Sequence, residues 1–86
     1  MQVSLTPQFR RQFRKLPQTL REEAFEKIEL FKDTEAHTRL KVHKLHGKFK
    51  NYYSFSVNYQ YRVVFMWEVQ NKSAILLAIG DHAAYD

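Results

Sequence analysis

An α+β fold, with a two-helix hairpin packed on one face of a mostly antiparallel sheet of four to five strands, is what these 86 residues predict. Three observations carry that expectation. Apolar residues recur at helical spacing from Phe9 to Phe31, they alternate with polar residues at strand spacing from Tyr53 to Val69, and they form an unbroken run from Ala74 to Ile79. With a short strand at Val3 and Leu5 the order is β-α-α-β-β-β-β, in one domain spanning residues 1–86.

Taken in order, Val3 and Leu5 alternate with polar neighbours. Thr6-Pro7 reads as a helix start, with Thr as N-cap and Pro at the first helical position. Phe9, Phe13 and Leu16 then form one apolar stripe, and Arg10, Arg11, Arg14 and Lys15 fill the other faces. Pro17 breaks this helix and opens a second, whose stripe is Leu20, Ala24, Ile28 and Phe31, widened by Phe25. Residues 7–33 are thus a helical hairpin. Leu40 to Leu45 is a predicted strand leading to a turn at His46-Gly47. Tyr53, Phe55 and Val57 alternate with Ser54 and Ser56, and Tyr61, Val63, Phe65, Trp67 and Val69 alternate with Arg62, Val64, Met66 and Glu68. Asn71-Lys72 is a turn, and the run Ala74–Ile79 is a central strand.

Register follows from parity. If the apolar positions of the two hairpin strands share the helix-covered face, the loop at Asn58-Tyr59-Gln60 has odd length, and three residues pair Ser56 with Arg62 and Ser54 with Val64. Arg62 then projects from the other face among small polar groups. It is placed there either to grip a phosphate bidentately or to pair with Glu68 or a helix acid.

The charge is concentrated. Between Ala36 and Trp67 there is no Asp or Glu, while Arg39, Lys41, Lys44, Lys48, Lys50 and Arg62 supply six cations, so the formal charge of +5 arises in one segment. A localised positive field favours a polyanion, nucleic acid above all. There is no Cys, hence no disulfide framework or thiolate metal site. The longest apolar run falls well short of the ~20 residues of a membrane span, and the N-terminus has no signal-peptide pattern, which predicts a cytoplasmic protein with no membrane partner.

The histidines bear on chemistry. His43 and His46 lie in Lys41-Val42-His43-Lys44-Leu45-His46-Gly47, and His82 follows Ile79-Gly80-Asp81. Cleavage of RNA through its 2′-OH needs a base, a cation for the phosphorane and an acid for the leaving 5′-oxygen; two His and an Arg on one face supply all three without a metal or other cofactor. A His in a basic loop is, against that, most often a solvated surface residue. No HExxH or CxxC spacing points to zinc. His37, beside the helix-to-strand connection, is assigned no role. Among the aromatics of the basic segment, Tyr53 and Tyr61 read as core, while Phe49, Tyr52 and Tyr59 are open between packing and stacking on RNA bases.

Three segments, Lys44-Leu45-His46-Gly47, Tyr61-Arg62-Val63-Val64-Phe65 and Ile79-Gly80-Asp81-His82-Ala83-Ala84-Tyr85, resemble in order and spacing the RelE/ParE superfamily of type II toxin–antitoxin toxins. The resemblance covers essentially the whole chain. Gly80-Asp81-His82-Ala83-Ala84-Tyr85, with a His at position 43, is most similar to the YafQ-like branch. It implies a RelE-like fold and a ribosome-dependent mRNA endoribonuclease that cuts A-site codons and inhibits translation. A cognate antitoxin would neutralise it in a hetero-oligomeric complex. It further implies catalytic roles for His82 and His43 and contact of Arg62 with the scissile phosphate. On that reading Lys41, Lys44, His46, Lys48 and Lys50 bind the ribosomal RNA backbone, and Tyr85 either replaces a C-terminal aromatic of the family in that contact or packs near the end of the chain. The chain departs from the family where RelE members carry lysines, at Ser54 and Ser56, and where the YafQ-like branch carries a third His and an Asp, at Ser56 and Gln60. The alternative implied by the superfamily is a ParE-like inhibitor of DNA gyrase without nuclease activity, or a silent homologue that only binds antitoxin or RNA.

Overall fold

The computed structural model describes residues 1–49, 51–68 and 72–84. Its elements are β1 (Gln2–Leu5), α1 (Pro7–Arg14), α2 (Gln18–Phe31), β2 (His43–Lys44), β3 (Tyr53–Ser56), β4 (Tyr61–Glu68) and β5 (Ser73–Asp81), with 3-10 turns at Thr34–Ala36, Gly47–Phe49 and His82–Ala84. The sheet order is β1-β5-β4-β3-β2, with β1 parallel to β5 and every other pair antiparallel. This is the predicted architecture, and the expected Val69 and Asn71 of the β4–β5 connection lie outside the described residues.

The helix boundaries are those that local chemistry dictates. The Thr6 hydroxyl accepts the Phe9 N–H at 3.1 Å and Pro7 opens α1. The Arg21 guanidinium donates to the Leu16 carbonyl at 2.8 Å, satisfying an acceptor at the break that Pro17 imposes. At the other end of α2, the His37 Nε2–H donates to the Phe31 carbonyl at 2.8 Å and its ring stacks on Phe31. His37, without a role on sequence grounds, is a structural helix cap.

The core lies between the helices and one face of the sheet. Phe31 is fully buried, stacked on Phe55 at 4.4 Å and edge-on to Phe65 at 4.7 Å. Phe9, Ala24, Ile28, Val63, Leu76 and Ile79 complete its centre. Phe25 was expected to widen the α2 stripe but is 60% exposed, because it faces a groove beside β1 rather than the core.

The hairpin register is the one parity predicts: Ser56 opposes Arg62 and Ser54 opposes Val64, and the Val57 N–H closes the loop on the Tyr61 carbonyl at 2.9 Å. Two further features were not legible. Val64 opposes Ala78 while Phe65 opposes Leu76, so Leu77 is an extra residue on β5. This bulge switches the side-chain parity of the strand: Ala74 and Leu76 before it and Ile79 after it all face the helices, while Gly80 is brought opposite Arg62. Where β1 ends, Thr6 donates to the Leu77 carbonyl at 3.2 Å and Gln12 accepts the Ile79 N–H at 2.9 Å, replacing the missing strand.

The expected strand Leu40–Leu45 shrinks to His43–Lys44. Lys41 adopts φ 59°, and its neighbours turn instead of extending, with the Val42 N–H donating to the His37 carbonyl at 3.1 Å. Leu45, Val64 and Ala78 form a second, small apolar cluster on the sheet face away from the helices, so that face is only partly open. Ser54 lies fully buried there. The turn at His46-Gly47 is present, with Gly47 at φ 68°, a conformation that glycine adopts without steric cost.

Candidate nucleic-acid and catalytic site

Successive side chains of a strand alternate between faces, and Val63 and Phe65 enter the core, so Arg62 projects from the opposite face. Its Nη1 donates to Ser56 Oγ at 2.9 Å, fixing the guanidinium across the pair. On its other side stands Gly80, which presents no side chain. Arg62 is half-buried, at the end of a row Ser56–Arg62–Gly80. A reach to Glu68 is excluded: six residues along one strand is about 20 Å.

From this row a pocket of about 460 Å³ opens past Ser56 and Lys41 to Arg39, with Lys27 and Glu23 of α2 on its far wall and Tyr59 at its mouth. Lys27 was not singled out from the sequence, Arg39 entered only as one of the six cations of the basic segment, and Tyr59 as an open candidate for stacking. The turn at Leu40-Lys41, held where the Ser56 N–H donates to the Leu40 carbonyl at 2.9 Å, carries Arg39 toward Arg62, and α2 brings Lys27 from the other side. Tyr59 is 89% exposed, which resolves its open status in favour of a presented ring; Tyr52 is 37% exposed. Tyr53 and Tyr61 pack against the core as expected.

His82 begins the 3-10 turn that ends β5, two residues beyond Gly80. Strand spacing puts its Cα about 8 Å from that of Arg62. A chain of hydrogen bonds holds this corner. The Asn58 amide donates to Glu23 at 2.8 Å, and its oxygen accepts the N–H groups of Gln60 and Tyr61, each at 2.8 Å. The Gln60 carbonyl accepts the His82 N–H at 2.7 Å, and the Gln60 side chain donates to Asp81 at 3.2 Å. The other Asp81 oxygen accepts the Ala83 N–H at 2.9 Å. That backbone bond first, then Gln60 and the nearby charge of His82, holds the Asp81 carboxyl below its ordinary value, so it is ionised beside His82 at neutral pH.

His43 opposes Ser54 and shares its face. Its Nδ1 lies 2.8 Å from the Lys41 carbonyl, which can only accept; Nδ1 therefore carries the proton, and in the neutral ring Nε2 keeps a lone pair. The left-handed Lys41 backbone is what turns this carbonyl toward the imidazole. Yet β2 and β5 are three strand spacings apart, and His82 lies further along the sheet, so His43 and His82 are separated by on the order of 15–20 Å between Cα atoms. Partnership of the two at one phosphate therefore requires both imidazoles to reach toward Arg62 from opposite sides of the sheet face, a distance that sequence motifs do not convey.

Lys44, His46 and Lys48 are exposed near the β2 edge, on the same border of the molecule as His43. Lys50 and Tyr85 lie outside the described residues, as does the side chain of Phe49. Among the described residues no group of three His, Asp or Glu side chains is placed to hold a metal ion. No helix among them is long and apolar enough to cross a membrane.

Comparison with known proteins then places the chain. A family model described as the RelE-like toxin of the type II toxin–antitoxin system HigB matches residues 7–82. The chain belongs to that family. A search of curated proteins finds no match. Among solved structures, this HigB-like toxin is similar to the RelE chain of an archaeal RelE–RelB complex from Pyrococcus horikoshii (TM-score 0.72, 18% identity, 93% of this chain and 92% of that chain covered). It is similar as well to the intact Escherichia coli RelBE toxin–antitoxin complex (0.69, 18%, 93% and 94%). A third likeness is to YafQ from Escherichia coli strain BL21(DE3) (0.66, 15%, 95% and 93%). At these identities the likeness is one of fold, and it does not single out the YafQ-like branch within the superfamily.

Proposed function

We propose that this toxin is an mRNA endoribonuclease that cuts A-site codons on the ribosome and is silenced by its cognate antitoxin in a hetero-oligomeric complex. The observation that carries this reading is the row Ser56–Arg62–Gly80 followed by His82: a cation held in place by Ser56 Oγ, a cross-strand neighbour without a side chain, and a histidine two residues further along. The 2′-oxygen of the substrate attacks its own phosphorus, the bond from phosphorus to the 5′-oxygen breaks, and a 2′,3′-cyclic phosphate and a 5′-hydroxyl result. Arg62 stabilises the charge on the phosphorane. His82, whose backbone is anchored by its N–H bond to Gln60, transfers one of the two protons as general acid or base, and water carries the other.

Arg39, Lys41 and Lys27 hold the adjoining RNA backbone, and Tyr59 offers a face for a base. His43, with Nε2 able to accept, acts away from the cut, where it and Lys44, His46 and Lys48 meet the neighbouring strand or ribosomal RNA. Lys50 and Tyr85 belong to the same proposed contact. Little base recognition is required of so small a domain if the ribosome presents the codon.

The test is cleavage of mRNA in a purified translation system, with wild type and His82→Ala, each with and without 70S ribosomes, mapped by primer extension. Cuts at codon boundaries that require ribosomes and vanish in the variant are expected. Intact mRNA with the wild-type protein would overturn the nuclease reading, and inhibition of gyrase supercoiling would then be measured.

A further inference from the structure

One carboxyl group stands in the wall of the basic pocket. Among the described residues that line it, Glu23 is set against four cations, Lys27, Arg39, Lys41 and Arg62. An acid there repels the phosphates that the cations attract, so phosphate binding does not account for it. Nor does an ion pair: Lys27 lies one turn along α2, yet no salt bridge joins the two. What holds the carboxyl group is Asn58, whose Nδ2–H donates to Glu23 Oε1 at 2.8 Å. The orientation of that amide is fixed. Its oxygen accepts the backbone N–H groups of Gln60 and Tyr61, each at 2.8 Å, and those groups can only donate. Asn58 therefore turns its NH2 to Glu23. The second oxygen, Glu23 Oε2, accepts no hydrogen bond among the described residues. Glu23 is half-buried, and Tyr59, which follows Asn58 in the chain, holds a ring 89% exposed at the mouth of the same pocket.

We propose that Glu23 selects the base that Tyr59 receives. A base stacked on Tyr59 turns its edge to the pocket wall, where Glu23 Oε2 accepts a hydrogen bond and has none to donate. An acceptor favours an exocyclic amino group, N4 of cytosine or N6 of adenine, over the carbonyl that uracil or hypoxanthine carries at the same place. A carbonyl there would set two acceptor oxygens against each other in a half-buried position, each without a proton to share. Asn58 makes this selection directional. In Glu23→Gln the new side-chain oxygen must take the Asn58 N–H, so the new amide presents its own NH2 to the base and favours a carbonyl. The preference is therefore expected to reverse, and not merely to fade. The proposal rests on the reading of this pocket as the RNA site, and not on cleavage itself.

The experiment measures binding of fluorescein-labelled oligonucleotides by anisotropy, with every 2′-oxygen methylated so that no strand is cut. Two pairs are compared, oligocytidine against oligouridine and oligoadenosine against oligoinosine, each pair exchanging an amino group for a carbonyl. The proteins are the full chain as wild type, Glu23→Gln, Glu26→Gln and Tyr59→Ala. Glu26 is exposed on α2 and does not line the basic pocket, so its variant controls for the loss of one negative charge. Wild type is expected to bind the amino member of each pair about tenfold more tightly. Glu23→Gln should invert both ratios, while Glu26→Gln keeps them. Tyr59→Ala should bring both ratios close to unity, and it carries the test if a thermal melt shows that Glu23→Gln does not fold. Equal ratios in wild type and Glu23→Gln overturn the proposal. So does a uniform gain in affinity for all four strands, which would mean that Glu23 only repels phosphate. No binding of any strand by wild type overturns it too, and ribosome-dependent cleavage by that same protein would leave the nuclease reading standing. Ratios that invert in a protein that cuts no mRNA support the base contact and count against the nuclease reading alone.

Discussion

Arg62 is held by Ser56 on one side and has a glycine as its cross-strand neighbour on the other, so its guanidinium is fixed in a half-buried position at the rim of the pocket. A fixed cation aimed at developing charge is worth more than a mobile one, because little reorganisation accompanies the reaction. Arg62→Gln is expected to lower the cleavage rate by about 10²–10³-fold, with an unchanged circular dichroism spectrum; a rate within a factor of a few of wild type would remove Arg62 from the scissile phosphate. Asp81 makes a different kind of prediction. Its carboxyl titrates lower in the fold than its usual 3.8, so the folded state favours the ionised form. The stability this contributes is present above the unfolded value and is lost as pH falls through the lower folded value. The difference in Tm between wild type and Asp81→Asn should hold steady from neutral pH down to about pH 5 and close in more acidic buffer. A gap that persists in acid would mean that the contribution comes from hydrogen bonding alone.

At the level of elements, α2 and the β3–β4 loop each do two jobs. Phe31 of α2 joins the helix to β3 and β4 through stacked and edge-on rings. Phe31→Ala removes a fully buried ring and is expected to cost about 3–5 kcal/mol, read as a shift in the urea midpoint. Asn58 ties the loop to α2 and accepts two backbone N–H groups of the segment that carries the His82 contact. Asn58→Ala should cost about 1–3 kcal/mol and also reduce cleavage, while the Asn58→Asp variant, which keeps the acceptor oxygen but sets a carboxylate against Glu23, should retain the loop bonds and lose the tie to the helix. Amide exchange at Gln60 and Tyr61 distinguishes the two: fast in Asn58→Ala, protected in Asn58→Asp.

Across the whole molecule, charge and shape divide the surface into two distinct concavities. Basic residues from three separate stretches, Lys27 of α2, Arg39 and Lys41 of the turn, and Arg62 of β4, converge on one pocket, while an apolar groove occupies the other side of α2. RNA affinity should therefore fall linearly with the logarithm of salt concentration, with a slope of about −0.7 for each phosphate neutralised. Arg39→Gln should weaken binding evenly across sequences and make that slope shallower by about one contact. An unaltered slope, measured by fluorescence anisotropy on a short single-stranded RNA, would place Arg39 outside the interface.

Local pattern was enough for much of this protein. The Thr6-Pro7 helix start, the break at Pro17, the aromatic stripe through Phe31 and the pairing of Ser56 with Arg62 all follow from period, capping and parity, which are properties of neighbouring residues. The same local information exposed the basic segment and the His82 motif. It failed wherever the outcome depends on contacts distant in the chain. β5 pairs with β4 along its whole length but with β1 only as far as Leu76; the Leu77 bulge falls where β1 ends, and it is this bulge that sets Gly80 against Arg62. The left-handed Lys41 turn replaces a predicted strand and recruits Arg39 to the pocket. Sheet order, finally, puts His43 on β2 and His82 just past the end of β5, three strand spacings apart. Sequence motifs name residue types, but the distance between them is set by which strands are neighbours, and that is decided by the packing of the whole chain.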